Sequence, residues 1–206
     1  MLCKQYGCIF IHIPRTGGQS IEEFFLRLVG LDWNSRWPLL LRTNADPKLG
    51  PARLAHLTAA EYVSCGYVSG PMFKSLFKFS FVRNPWDRLV SEYNRSPRDI
   101  NFKCFVVGQL SKSRMSDEGR HVMPQHDYIV DGNGNLTVDY LGRFEKLQSD
   151  FDCICQRLEI SPTRLPHRNR SIAAKKHYSE YYDSELRDFV GDMYQRDVEA
   201  FGYSFD

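Results

Sequence analysis

Apolar residues first crowd together at Cys8-Ile-Phe-Ile-His-Ile13, a run short enough to predict a strand buried on both faces. Pro14 to Gln19 follow as a loop with two glycines. From about Ser20 the spacing changes: Ile21, Phe24, Phe25 and Leu28 recur at helical intervals, and Gly30 supplies a stop. The same strand–loop–helix grammar returns later. Phe77 to Val82 alternates as a strand, Asn84 caps, Pro85 suits a first helical turn, and that helix runs to about Arg95 before Pro97. Leu57 to Val63 reads as a short helix capped by Thr58. Phe102 to Leu110 reads as another, inside a poorly patterned stretch from 97 to 136. Asp131-Gly-Asn-Gly-Asn135 marks a turn, and Val138 to Phe144 a strand. Leu147, Phe151, Ile154 and Leu158 share one helical face. A last helix carries Leu186 to Phe201, with Asp183 or Ser184 as cap. Residues 32 to 55 are irregular, broken by Pro38, Pro47, Gly50 and Pro51.

Strands alternating with helices predict an α/β fold: a central, mostly parallel sheet flanked by helices, with residues 1–206 as one domain. Such sheets bind ligands at the carboxyl ends of their strands. The 206-residue length supports one core. With 42% hydrophobic and 25% charged residues the chain belongs with soluble globular proteins rather than disordered ones. A net charge of only +2 argues against a broad electrostatic grip on nucleic acid, so anion binding must come from locally placed arginines. No apolar stretch approaches a membrane span, and no signal-peptide pattern opens the chain. The expected location is cytoplasmic, or the Golgi lumen if the chain is trimmed from a larger eukaryotic protein. The six cysteines form no CxxC pair and keep no zinc-ligand spacing with histidine, which predicts free thiols and no metal.

Two segments carry chemistry. Pro14-Arg-Thr-Gly-Gly-Gln-Ser20 joins a strand to a helix. Gly17 and Gly18 allow a tight turn that brings backbone N–H groups near a ligand, and the helix start adds free donors. Arg15 adds charge, and Thr16, Gln19 and Ser20 add polar groups. The segment lacks the Gly-Lys-Ser/Thr ending of a Walker A loop, which weakens a kinase reading. The second segment is Phe81-Val-Arg-Asn-Pro-Trp-Asp-Arg-Leu-Val-Ser-Glu-Tyr93. Arg83 lies at a strand end and Ser91 about two turns into the next helix, where both can converge on a second phosphate.

These segments resemble the PAPS-dependent sulfotransferases, in the branch that includes heparan sulfate 2-O-sulfotransferase and bacterial relatives. PAPS is 3′-phosphoadenosine 5′-phosphosulfate; its product is PAP. Further matches are Val138-Asp-Tyr-Leu-Gly-Arg-Phe-Glu-Lys-Leu147 and, more loosely, Leu165-Pro-His-Arg-Asn-Arg-Ser171 with Tyr178-Ser-Glu-Tyr-Tyr182. The resemblance implies a P-loop-like sulfotransferase fold, with Arg15 to Ser20 on the 5′-phosphosulfate and Arg83 and Ser91 on the 3′-phosphate. Arg170, Ser171 and Lys175 are then expected to close over the cofactor. Arg15 and Gln19 depart from the family loop, which has Lys and Thr there.

In-line sulfuryl transfer needs a cation for the leaving phosphate and a base for the acceptor hydroxyl. Arg15 is the expected cation. His56 is the expected base, with His121 and His126 as alternatives. His12 reads as a packed strand residue, Glu145 as a structural acid, and Trp86 as either a packing anchor or an adenine platform. The irregular segments carry Arg36, Arg42, Lys48, Arg53, Arg95, Arg98, Lys103, Lys112, Arg114 and Arg120, which would suit an anionic glycan acceptor. A non-catalytic nucleotide-binding module and a small-molecule kinase are the rival readings.

Overall fold

The computed structural model describes residues 1–95, 99–110, 112–114, 116–166 and 176–206. Four strands form one sheet in the order β1 (Leu2–Cys3), β2 (Cys8–Ile11), β3 (Phe77–Val82), β4 (Tyr140–Arg143). β1 is antiparallel to β2, whereas β2–β3 and β3–β4 are parallel. The helices are α1 (Gly18–Leu28), α2 (Ala59–Ser64), α3 (Gly70–Ser75), α4 (Pro85–Tyr93) and α5 (Phe102–Leu110). After them come α6 (Asp117–Val122), α7 (His126–Ile129), α8 (Leu147–Arg157), α9 (Ser184–Met193) and α10 (Gln195–Phe201). Sheet and helices form the α/β layering that the alternating pattern predicts.

Strand periodicity divides the core. Cys8, Phe10, Phe79 and Phe81 point to one face of the sheet and pack on Phe24 and Phe25 of α1 and Phe151 and Ile154 of α8. Ile9, Ile11 and Val82 point to the other, against Tyr62 of α2, Tyr128 of α7 and Phe201 of α10. Phe10 stacks on Phe79 with ring centroids 5.1 Å apart. Each fully buried phenylalanine contributes roughly 1.5–3 kcal/mol, so both faces lock the parallel register. A third cluster joins α4, α5 and α9 through Trp86, Phe105 and Val190. Trp86 is buried there and donates its Nε1–H to Arg187 O at 2.9 Å, so it is a packing anchor.

Local signals explain most boundaries. Asn84 Oδ1 accepts from Trp86 N and Asp87 N, as a cap before Pro85 should. Thr58 and Glu61 exchange side-chain and backbone bonds in a capping box at the start of α2. Thr58→Ala is expected to cost about 1 kcal/mol. The readout is a lower urea midpoint at unchanged slope.

The structure departs from the sequence pattern in several places. The expected last helix is two helices, broken at Tyr194. The Tyr194 hydroxyl donates to Val122 O, and the buried Asp197 carboxylate accepts from Gln125 N and His126 N, both at 2.8 Å. β4 is shorter than Val138 to Phe144, because Asp150 accepts from Arg143 N at 2.7 Å and turns the chain into the 3-10 turn leading to α8. Residues 97–136, expected to be poorly patterned, contain α6 and α7 besides the anticipated α5. All six cysteines are unpaired thiols. Among the described residues no helix is long and apolar enough to cross a membrane.

Candidate active site

A cleft of about 560 Å³ opens at the carboxyl ends of β2, β3 and β4. Each strand delivers one wall. The segment after β2 brings His12, Pro14, Arg15 and Gly17 to Ser20, the segment after β3 brings Arg83 and one side of α4, and the segment after β4 brings Phe144. A second hollow of about 620 Å³ adjoins it and shares Arg83, Asp87 and Lys176.

In the first loop Gly17 has φ +86° and caps α1, a conformation costly for residues with a Cβ. A Cβ on Gly18 would fall 2.2 Å from His12 Nε2, so glycine is required for the imidazole to lie under the loop. His12 is fixed from behind, its Nδ1 2.6 Å from Glu22 Oε1. It is packed and hydrogen-bonded as expected, but just past the end of β2 rather than in the strand, and its ring also reaches the cleft. Arg15 takes φ +71°, an uncommon value for a non-glycine residue. Its carbonyl accepts from Arg83 Nη1 at 3.0 Å, and its guanidinium reaches Ser91 Oγ at 2.9 Å and Ser91 O at 2.8 Å. Glu92 Oε2 lies 3.7 Å from Arg15 Nε. Burial draws Arg15 below the usual guanidinium value, and Glu92 pulls the other way. Gly17, Gly18, Gln19 and Ser20 line the cleft with Arg15. Thr16 does not: it is buried, and its hydroxyl donates to Ile13 O at 2.8 Å. The expectation that this hydroxyl faces an anion is corrected accordingly, since the Ile13 carbonyl claims it.

The second segment meets the first. Arg83 is buried over the Phe144 ring at 4.0 Å and donates from Nε to Asp87 Oδ2 at 2.7 Å. It touches Arg15, and Arg15 touches Ser91, so the residues expected at two phosphates form one connected set. Glu145 accepts from Asn84 N at 2.8 Å and from the Tyr203 hydroxyl at 3.1 Å, bracing the start of α4.

Three imidazoles line the cleft next to the loop. His56 lies between His12 and His121, with ring centroids 4.8 Å and 5.2 Å away. Its Nδ1 lies 3.3 Å from His12 O, which assigns the proton to Nδ1 and leaves the Nε2 lone pair free. Burial first, then the neighbouring His12 and His121, hold its pKa well below the ordinary imidazole value. His121 Nδ1 lies 2.7 Å from Glu92 Oε2. His126 sits elsewhere, against Phe201 and Asp127, and does not line the cleft. Arg170, Ser171 and Lys175 lie outside the described residues; Lys176 lines the cleft. Of the basic residues in the irregular segments, Arg53 and Arg95 reach the cleft, whereas Arg120 is buried on Glu61 and His56 O.

Among the participants that escaped the sequence reading are Arg88, Glu92 and Asp117. Arg88 donates to Pro14 O at 3.0 Å, Met123 O at 2.9 Å and His121 O at 2.9 Å. The signal for two of them was present. Asn84, Arg88, Ser91, Glu92 and Arg95 recur at helical spacing, and polar residues on one stripe of an otherwise apolar helix mark the face toward a site.

A family model described as Sulfotransferase family matches residues 1–204. No curated protein and no solved structure matches the chain.

Proposed function

This chain belongs to the sulfotransferase family and its chemistry is sulfuryl transfer; we propose that the donor is PAPS and the acceptor a hydroxyl, of a carbohydrate in the first instance. The observation that carries this reading is the chain of contacts Arg83–Arg15–Ser91, which ties the loop after β2 to the helix after β3 across one cleft. A nucleotide with a 5′-phosphosulfate and a separate 3′-phosphate needs two anion sites on one side of the sheet, and that linkage supplies them. The Gly17–Ser20 backbone and Arg15 take the phosphosulfate; Arg83 and Ser91 take the 3′-phosphate.

The acceptor oxygen attacks sulfur in line with the bridging oxygen. The new O–S bond forms as the bond from sulfur to the phosphate oxygen breaks. His56 Nε2 receives the hydroxyl proton, and the electron pair of the broken bond stays on PAP. Charge then rises on the leaving phosphate, where Arg15 and the N–H groups at the start of α1 stabilise it. Arg keeps the cation that Lys supplies in the family loop and adds a fork. Arg53 and Arg95, at the cleft mouth, favour an anionic acceptor.

Calorimetry with PAP and with ATP, with and without Mg²⁺, tests the donor, and transfer of labelled sulfate from PAPS to a panel of glycans and small alcohols tests the reaction. Metal-independent preference for PAP is expected. Tighter, Mg²⁺-dependent binding of ATP would move the chain to the kinases, and PAP binding without transfer to any acceptor would leave a nucleotide-binding module. Arg83→Ala is expected to weaken PAP about 100-fold, which is about 2.7 kcal/mol. Arg83→Lys should recover only part of this, because an ammonium cannot serve Asp87, the Arg15 carbonyl and a phosphate from one fork.

A further inference from the structure

Asp117 and His121 stand one turn apart on α6 and face His56 across the cleft wall. One ligand atom from each of the three lies within 4.8 Å of the other two. His121 Nε2 and Asp117 Oδ1 are 3.9 Å apart, and both are buried without a hydrogen-bond partner. A buried, unpaired polar atom normally costs about 1–3 kcal/mol, and here two point at one another's neighbourhood.

The remaining polar atoms of the trio are engaged, and engaged in a particular way. His121 Nδ1 meets the buried Glu92 carboxylate at 2.7 Å. His56 Nδ1 meets the His12 carbonyl at 3.3 Å. Asp117 Oδ2 meets Arg53 Nε at 3.2 Å. A histidine that ligates a metal usually donates its other ring N–H to a carboxylate or to a backbone carbonyl, which orients the lone pair and raises its basicity. Both arrangements occur here, one on each imidazole. The nearest guanidinium, Arg53, sits on the far oxygen of Asp117 and leaves Oδ1 directed at the imidazoles.

We propose that His56, Asp117 and His121 form a binding site for one zinc-class dication, with a fourth coordination position open to the cleft. Two imidazoles and one carboxylate suit zinc and its transition-metal neighbours rather than magnesium or calcium, which prefer all-oxygen shells. At metal–nitrogen distances of about 2.0–2.1 Å the three ligand atoms stand closer together than the 4.8 Å seen here, so binding draws them inward. The ion would occupy the lone pair of His56 that accepts the hydroxyl proton, so a bound zinc-class ion silences transfer reversibly. The inhibition rests on the reading of His56 as the base; the binding rests on the geometry alone.

The test is a titration of metal-free protein with Co²⁺, whose visible spectrum reports coordination number and ligand type, followed by displacement with Zn²⁺. One equivalent in a four-coordinate N/O environment is expected, with no thiolate charge-transfer band and no competition from Mg²⁺. His121→Ala and Asp117→Asn should each weaken Zn²⁺ at least tenfold, and Glu92→Gln by about 10–100-fold through His121. Asp117→Asn is isosteric and only partly buried, which keeps the experiment decisive if His121→Ala fails to fold. Absence of the Co²⁺ spectrum, a thiolate spectrum, or Zn²⁺ affinity unchanged in Asp117→Asn would overturn the site. PAP affinity measured on the same samples separates the two readings: PAP bound without Co²⁺ refutes only the metal site, and Co²⁺ bound without PAP refutes only the nucleotide assignment.

Discussion

His56→Ala is expected to lower sulfuryl transfer by about two to four powers of ten while PAP still binds. The argument starts from position. The 3-10 turn Leu54–His56 presents the imidazole beside the first loop, where Gly18 leaves room for His12 beneath it. Among the described residues the partners of His56 are His12, His121 and Arg120 rather than Arg15, Arg83 or Ser91, so its removal leaves the Arg83–Arg15–Ser91 linkage intact. A second result follows from its environment. A base works only when neutral, and burial with two flanking imidazoles holds the His56 pKa well below the ordinary imidazole value. Protonation therefore sets in only at a pH below the usual histidine range, and turnover should persist through slightly acid pH, falling off further down. The measurement is kcat for labelled-sulfate transfer across pH, with PAP affinity in parallel. Intact turnover in His56→Ala would move the base to His121, whose Nδ1 on Glu92 also leaves Nε2 free.

How much of this was legible follows from the reach of each signal. Strand–loop–helix segments announce themselves locally, because period-2 and period-3.6 patterns and an Asn-Pro cap need only neighbours in sequence. β3, α4 and α5 fall where those patterns put them. β1 escaped because two residues cannot show a period. α6 and α7 are short and held by distant partners: Arg88 and Glu92 for α6, Asp197 for α7. Their stability is largely tertiary, and the local signal is confined to the Ser116 cap and acidic first turn of α6. Arg15 shows the same division. Its loop identifies it as an anion-site residue, but nothing in the loop says that its guanidinium bridges to Ser91, 76 positions on. Asp117 and His121 are i, i+4 neighbours, an ordinary helical spacing that gains meaning only when His56 is brought opposite.

The largest expected loss of stability belongs to Arg88→Met, at about 3–5 kcal/mol, a large fraction of the ~5–15 kcal/mol available to a domain. Arg88 is 1% exposed, and the hydrogen bonds of its guanidinium go to backbone carbonyls rather than to a carboxylate. Its charge is solvated by backbone instead: Pro14 O on one side, His121 O and Met123 O on the other. Those carbonyls belong to the loop after β2 and to the end of α6, so one planar guanidinium fastens both walls of the cleft to α4. Methionine matches the stem but returns three buried carbonyls to the unpaired state, each costing about 1–3 kcal/mol before relaxation. Arg88→Lys keeps the charge, yet a single ammonium cannot span carbonyls set by the fork, so it should recover only part of the loss. Urea denaturation measures the difference. A midpoint for Arg88→Met equal to that of the parent chain would show that the cleft walls hold together without this residue, and PAP binding in the variant would then be retained as well.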